Sequence, residues 1–223
     1  MAYEPIPLPH REALSDEEAL TRVTTFRDDM ATRRTVRHYD PCPVPEAIIR
    51  TAIEAAGSAP SGANQQPWHF AAIADPAMKT QIRAAAEAEE EKFYDGGAPD
   101  AWIAALEPIG TGASKPHLTD APWLIAIFAQ RHGVNEDGTR RKHYYVPESV
   151  GIATGLLITA LHKAGLSTLT HTPNPMAFLN ELLTRPENEK PVMILTVGHA
   201  SKDATVPKAA TIKKPLSDIM SRF

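Results

Sequence analysis

Cysteine is almost absent from this chain. Cys42 is the single one among 223 residues. That excludes an internal disulfide and a cysteine-built zinc site, and it points to a reducing compartment. Cys42 lies in Pro41-Cys42-Pro43, a rigid extended context with no base nearby, so it reads as structural rather than nucleophilic. Long hydrophobic runs are also missing. The longest, around 123–129 and 151–161, are too short or too interrupted to span a membrane. The first eleven residues carry Pro5, Pro7 and Pro9 and lack the apolar stretch of a signal peptide. A soluble cytoplasmic protein with no membrane partner is expected. A large excess of charge of one sign is missing as well. A formal net charge of -4 gives no global reason to expect nucleic acid. With 43% hydrophobic and 22% charged residues, the chain has the composition of one ordinary globular domain, taken as 1–223.

Against that mildly acidic background stands a local basic cluster, Arg33-Arg34-Thr35-Val36-Arg37. Arginine offers a planar fork of donors that suits phosphate oxygens. The spacing is equally consistent with a solvated basic strip, so taken alone the cluster is either surface charge or an anion site.

Periodicity and punctuation predict the elements around it. Residues 1–14 form an extended arm. Ser15 opens a helix reaching about Thr32, and another spans Glu46 to Gly57. The loop Pro60-Ser61-Gly62-Ala63-Asn64 is small and polar, as a ligand-facing loop or any connector would be. A strand at His69–Ala74 is followed by a helix from Ala77 to about Tyr94. Residues 95–118 are irregular or weakly helical, in the manner of a lid. Buried strands are expected at 123–129, 166–169 and 191–197, with an all-round apolar helix at 150–164 and a surface turn at 134–141. A short helix at 176–183 and a basic C-terminal arm over 200–223 complete an α+β pattern. Arms of this kind wrap a partner subunit, so a homodimer is expected. His143, His162 and His171 lack ligand spacing for a metal and read as structural, and Trp68 and Trp123 as core aromatics.

Taken together, the arginine cluster, Ala59-Pro60-Ser61-Gly62-Ala63 with Pro67-Trp68, and Gly165-Leu166 leading to Thr170-His171-Thr172-Pro173 resemble the FMN-dependent nitroreductase superfamily. Glu89-Glu90-Glu91 before Tyr94, His143-Tyr144-Tyr145 and Lys214-Pro215-Leu216 narrow the resemblance to the iodotyrosine deiodinase group. It runs from about Arg33 to Met220. It implies a nitroreductase-like homodimer, a central mostly antiparallel sheet flanked by helices, and FMN sites built from both chains.

On the matching positions the resemblance implies that Arg33, Arg34, Thr35 and Arg37 hold the FMN phosphate and ribityl chain. Pro60, Ser61 and Gly62 would line the flavin, with Thr170 and His171 beside it. Thr172 would offer its hydroxyl to flavin N5, favouring one-electron steps. Lys213 stands where an arginine is usual, and His171 where a threonine is usual. The lid, 86–118, would grip the amino-acid end of a halotyrosine through Glu90, Tyr94 and Lys115, while the Ala63 backbone N–H binds the phenolate. Without the resemblance, the same acidic helix face and loop lysine read as solvated surface. The function implied is reductive dehalogenation of halotyrosines. The alternatives are a broad-range nitroaromatic or quinone reductase using NAD(P)H, and a flavin- or halotyrosine-binding protein with little turnover.

Overall fold

A strand that buries both faces reads as an unbroken apolar run, and β2 (Trp123–Gln130) is one. In the computed structural model, which describes residues 3–223, its side chains alternate between two cores. Leu124, Ala126 and Phe128 join one, and Ile125, Ile127 and Ala129 the other, as the two-residue period of a strand requires. Around it lie β1 (Trp68–Ile73), β6 (Glu189–Gly198) and β5 (Ser167–His171), in the order β1-β2-β6-β5 with every pairing antiparallel. The α+β expectation with a mostly antiparallel sheet is met.

Helices α2 (Glu46–Gly57) and α6 (Val146–Lys163) cover one face, where Ile49, Ala52 and Ala56 share a core with Val150, Leu157 and Leu161. The other face is covered by α3 (Pro76–Lys92) through Ile82 and Ala86, with Leu118 of α5 (His117–Asp120) and Leu179 of α7 (Phe178–Leu182). Burying each large side chain here contributes roughly 1.5–3 kcal/mol. The helix α6 is not apolar-buried all round. Its outer side leaves Ile152 47% and Leu156 38% exposed.

The residues up to Arg33 form one compact unit and Arg34–Phe223 a second. In the first, α1 (Asp16–Thr32) opens with a capping box: Ser15 Oγ accepts the Glu18 N–H at 3.2 Å, and Glu18 Oε2 accepts the Ser15 N–H at 2.9 Å. Leu20, Val23 and Phe26 lie exposed along this helix.

Two expectations need correction. The helix α3 does not run to Tyr94. It ends at Lys92 and widens into a π turn, Phe93–Gly97, because Gly96 takes φ 85° and Gly97 sits against the Lys92 carbonyl where a side chain has no room. The segment 134–141 is not only a turn. It joins β3 (His132–Val134) to β4 (Arg140–Lys142) in a two-stranded hairpin. The segment 95–118 also holds a regular helix, α4 (Asp100–Leu106). Among the described residues, no helix is long and apolar enough to cross a membrane.

Candidate active site

Three segments of the second unit converge on a cavity of about 510 Å³. The first follows the arginine cluster. Thr35 forms a parallel bridge with Thr168 of β5, and the Val36 N–H donates to the Thr168 carbonyl at 3.2 Å. That bridge runs the chain alongside β5, so Arg37 comes level with the strand's end at Thr170–Thr172, and both line the cavity. Arg37 is half-buried, and burial holds its guanidinium below its ordinary value. The period of two turns Thr170 and Thr172 outward, while His171 between them is 6% exposed.

The second segment is the end of α3 with the turn after it. Glu90 sits in the last turn and Tyr94 in the π turn, and both face the cavity. Phe93 packs edge-on against Tyr94 and against Trp102 of α4, at centroid separations of 5.3 and 5.0 Å. This aromatic cluster forms an apolar wall of the cavity.

The third segment brings in Lys115, which is 4% exposed. Its Nζ lies 3.0 Å from Glu90 Oε2, 3.3 Å from Thr111 Oγ1, and 5.7 Å from the Tyr94 ring centroid. The lysine is held in place by Glu87, a residue that the sequence did not single out. Glu87 Oε1 accepts the Lys115 main-chain N–H at 2.6 Å and the Arg83 Nε–H at 2.9 Å. Burial works to raise the Glu87 carboxyl, but these two donors outweigh it and hold it below its usual range.

Behind the ion pair stand two histidines. His171 and His117 meet edge-on at 5.7 Å. Burial first, and then the Lys115 ammonium, push His171 down to about 3 and His117 down to about 4. Both rings are therefore neutral. His117 was likewise not singled out by sequence. His143, by contrast, lies away from the cavity and rests its Nδ1 on the Gln130 carbonyl at 3.0 Å.

The structure thus gathers Arg37, Glu90, Tyr94, Lys115, Thr170, His171 and Thr172. Among the described residues of the second unit, Arg34, Pro60, Ser61, Gly62, Ala63 and Lys213 do not line this cavity. Arg33 caps the C-terminus of α1, and Arg34 opens the second unit. Lys213 lies exposed on the C-terminal segment.

Pro60, Ser61, Gly62 and Ala63 form a loop packed against Tyr144. A side chain on Gly62 would meet the Tyr144 carbonyl oxygen at 2.6 Å. Ala63 is exposed in the left-handed region at φ 50°. Gln65 clamps the loop down: its Nε2–H donates to the Lys142 carbonyl at 2.8 Å, and its Oε1 accepts the Tyr144 N–H at 2.8 Å.

The donor set of this region fits a flavin mononucleotide. A permanently charged guanidinium suits a phosphate or ribityl oxygen, outward threonine hydroxyls suit ring nitrogens, and a glycine-containing turn can lie flat on a planar ring. The model of the nitroreductase family matches residues 30–199. The chain belongs to the nitroreductase family. Among relatives in this family, an iodotyrosine deiodinase of Haliscomenobacter hydrossis is 45% identical over 208 residues, covering 93% of this chain and 94% of that protein. Human iodotyrosine deiodinase 1 is 42% identical over 97% of this chain and 74% of its own length. A crystal structure of oxidised iodotyrosine deiodinase bound to FMN and 3-iodo-L-tyrosine superposes with a TM-score of 0.75, at 29% identity over 89% of this chain and 98% of that one. A nitroreductase-like protein from Streptococcus mutans, 16% identical, shares the fold with a TM-score of 0.64 over 91% of this chain and 99% of that one.

Proposed function

We propose that this chain is an FMN-dependent reductive dehalogenase of halotyrosines, exchanging ring halide for hydrogen and releasing tyrosine. The observation that carries the reading is the placement of Glu90, Lys115 and Tyr94 in the same cavity as Thr172 and Arg37. A free amino acid presents one cation and one anion on adjacent atoms. Recognising it requires one partner of each sign, and the Glu90–Lys115 pair at 3.0 Å supplies both. Nitroaromatics and quinones carry no such zwitterion. A site built only for them has no use for a buried ion pair in its wall, because burying one is costly.

Bound FMN supplies the reducing electrons. The chain's own groups do the rest. Arg37, with Arg33, Arg34 and Thr35, holds the phosphate and ribityl end. Thr170, His171 and Thr172 would border the ring, with the Thr172 hydroxyl offered to N5. Pro60, Ser61 and Gly62 of a second copy would line the flavin, and the Ala63 backbone N–H would hold the substrate phenolate. Lys213 of the C-terminal arm would add its charge to the FMN site. Glu90 takes the substrate ammonium, Lys115 its carboxylate, and Tyr94 closes over both. The lid, 86–118, excludes water from the reacting ring.

The cofactor loop and the cavity then meet across two chains, so the active form is a homodimer. Supporting this are apolar side chains left in solvent along α1 (Leu20, Val23, Phe26), on the outer face of α6 (Ile152, Leu156), and in the C-terminal arm (Ile212, Leu216, Ile219). A monomer mass from light scattering would overturn the dimer. A single exposed free cysteine, Cys42, accords with a cytoplasmic location.

Anaerobic titration of the reduced, FMN-loaded protein with 3,5-diiodotyrosine tests the function. The expected result is stoichiometric flavin oxidation with iodide release. Reduced flavin that ignores the halotyrosine, yet oxidises rapidly with a nitroaromatic, would overturn it in favour of an NAD(P)H-driven nitroreductase. Replacing Thr172 by alanine should slow dehalogenation at least tenfold while leaving nitro reduction nearly intact.

A further inference from the structure

His171 carries a ring nitrogen for which the described residues provide no hydrogen-bond partner. The residue is 6% exposed, and its Nε2 is buried and unpaired. Nε2 faces Glu90, 4.0 Å from Oε1, about an ångström beyond a hydrogen bond to a carboxylate. Burying an unpaired polar nitrogen costs roughly 1–3 kcal/mol. The two oxygens of Glu90 are therefore used differently. Oε2 is held by the Lys115 ammonium at 3.0 Å, and Oε1 looks at a donor just out of reach.

The ring is suited to donate. It is neutral, so it has one N–H and one lone pair, and a carboxylate opposite Nε2 favours the tautomer with the proton on that nitrogen. His117 packs edge-on at an interplanar angle of 79° and fixes the plane of the ring. The strand position fixes its height, since His171 is paired with Ile194 of β6.

We infer that His171 is a positioning residue for Glu90, its Nε2–H taking up the Glu90 carboxylate when an ammonium-bearing substrate draws Lys115 away from it. The inference rests on the halotyrosine reading of this cavity. Without ligand, Glu90 and Lys115 satisfy each other. A zwitterion has to open that pair, because its carboxylate claims Lys115 and its ammonium claims Glu90. At that moment Glu90 loses the donor on Oε2 and has to turn while its side chain stays largely buried. A neutral donor on the far side steadies the carboxylate without competing with the incoming cation, as a second lysine or arginine would. A halophenol lacking the amino-acid group leaves the pair closed and makes no use of the His171–Glu90 contact. The residue thereby favours substrates that carry an ammonium.

The test uses FMN-loaded oxidised protein, with flavin fluorescence read during titration with 3-iodotyrosine and, separately, 2-iodophenol. Wild type is compared with His171→Leu, His171→Thr and His171→Gln. Leucine has no donor, threonine's hydroxyl is too short to reach Glu90, and glutamine restores an N–H. The expected result is an iodotyrosine Kd raised about tenfold more than the 2-iodophenol Kd in His171→Leu and His171→Thr, with that difference largely removed in His171→Gln. If His171→Leu does not fold, His171→Thr against His171→Gln decides the question. An unchanged iodotyrosine affinity, or equal losses for both ligands, overturns the inference while the halotyrosine reading stands. Wild-type protein that binds no iodotyrosine removes that reading, and this inference with it.

Discussion

The Glu87 carboxylate accepts the main-chain N–H of Lys115 at 2.6 Å, while Glu90, three residues further along α3, holds the same lysine's ammonium at 3.0 Å. One residue of the lid is gripped at both ends by one helix. The first contact positions the backbone, and the second presents the charge.

Replacing Glu87 by alanine should therefore harm substrate binding without touching the cofactor. A hydrogen bond to a charged acceptor contributes about 1.5–3 kcal/mol, so halotyrosine affinity is expected to fall about tenfold or more with FMN occupancy unchanged. Amide exchange across 107–116 should quicken in the same variant. Normal exchange there, together with normal affinity, would show that Glu87 does not anchor the lid.

The Glu90–Lys115 pair should behave as a unit in unfolding experiments. The lysine side chain is 5% and the glutamate side chain 14% exposed. Removing one partner of so buried a pair strands the other, at a cost of roughly 3 kcal/mol. Urea unfolding of Lys115→Met should show that loss, and the double variant Glu90→Gln/Lys115→Met should recover most of it. Losses that simply add would mean the two charges are solvated independently.

Acid should weaken the fold earlier than carboxylate titration alone would. His117 and His171 protonate near 6.5 in an unfolded chain but only at about 4 and about 3 in the folded one. Between those values the unfolded state binds more protons, so stability is fully present above pH 6.5 and falls as the pH drops. The slope is about 1.4 kcal/mol per pH unit for each histidine. Melting temperatures of a His117→Gln/His171→Gln variant between pH 7 and 4.5 should be visibly flatter than those of the wild type. Parallel curves would contradict the burial assigned to these rings.

Gly62→Ala should be costly beyond the usual effect of a methyl group. The added carbon would meet the Tyr144 carbonyl oxygen at 2.6 Å, backbone that has no rotamer by which to yield. A loss of about 1–3 kcal/mol in stability and a lower flavin content on purification are expected. Full occupancy with an unchanged melting temperature would mean the loop moves freely.

Much of this was legible from residue patterns, for definable reasons. The run Trp123–Gln130 is apolar without a break, and only a strand covered on both faces needs that. The i, i+4 spacing of Glu90 and Tyr94 put them on one side even though the helix gives way to a π turn between them. The hairpin His132–Val134/Arg140–Lys142 was missed because its strands are short and polar, with no alternating apolar face to betray them. Glu87 and His117 were missed because their roles depend on where a glycine-rich lid folds back, which no local spacing encodes. The arginine cluster could not be resolved by its own spacing. The bridge from Thr35 to Thr168 is what carries Arg37 to the cavity, while Arg33 ends a helix.

The Gln65 amide clamps the loop at 60–63 to Lys142 and Tyr144, and Tyr145 leads directly into α6, whose outer face is the one the proposed second copy would seal. Subunit separation would then loosen the flavin's covering loop as well as expose Ile152 and Leu156. Retention of FMN becomes subject to mass action in the protein itself. Dilution should release FMN into an ultrafiltrate, and reconcentrating the protein with the released flavin should load it again.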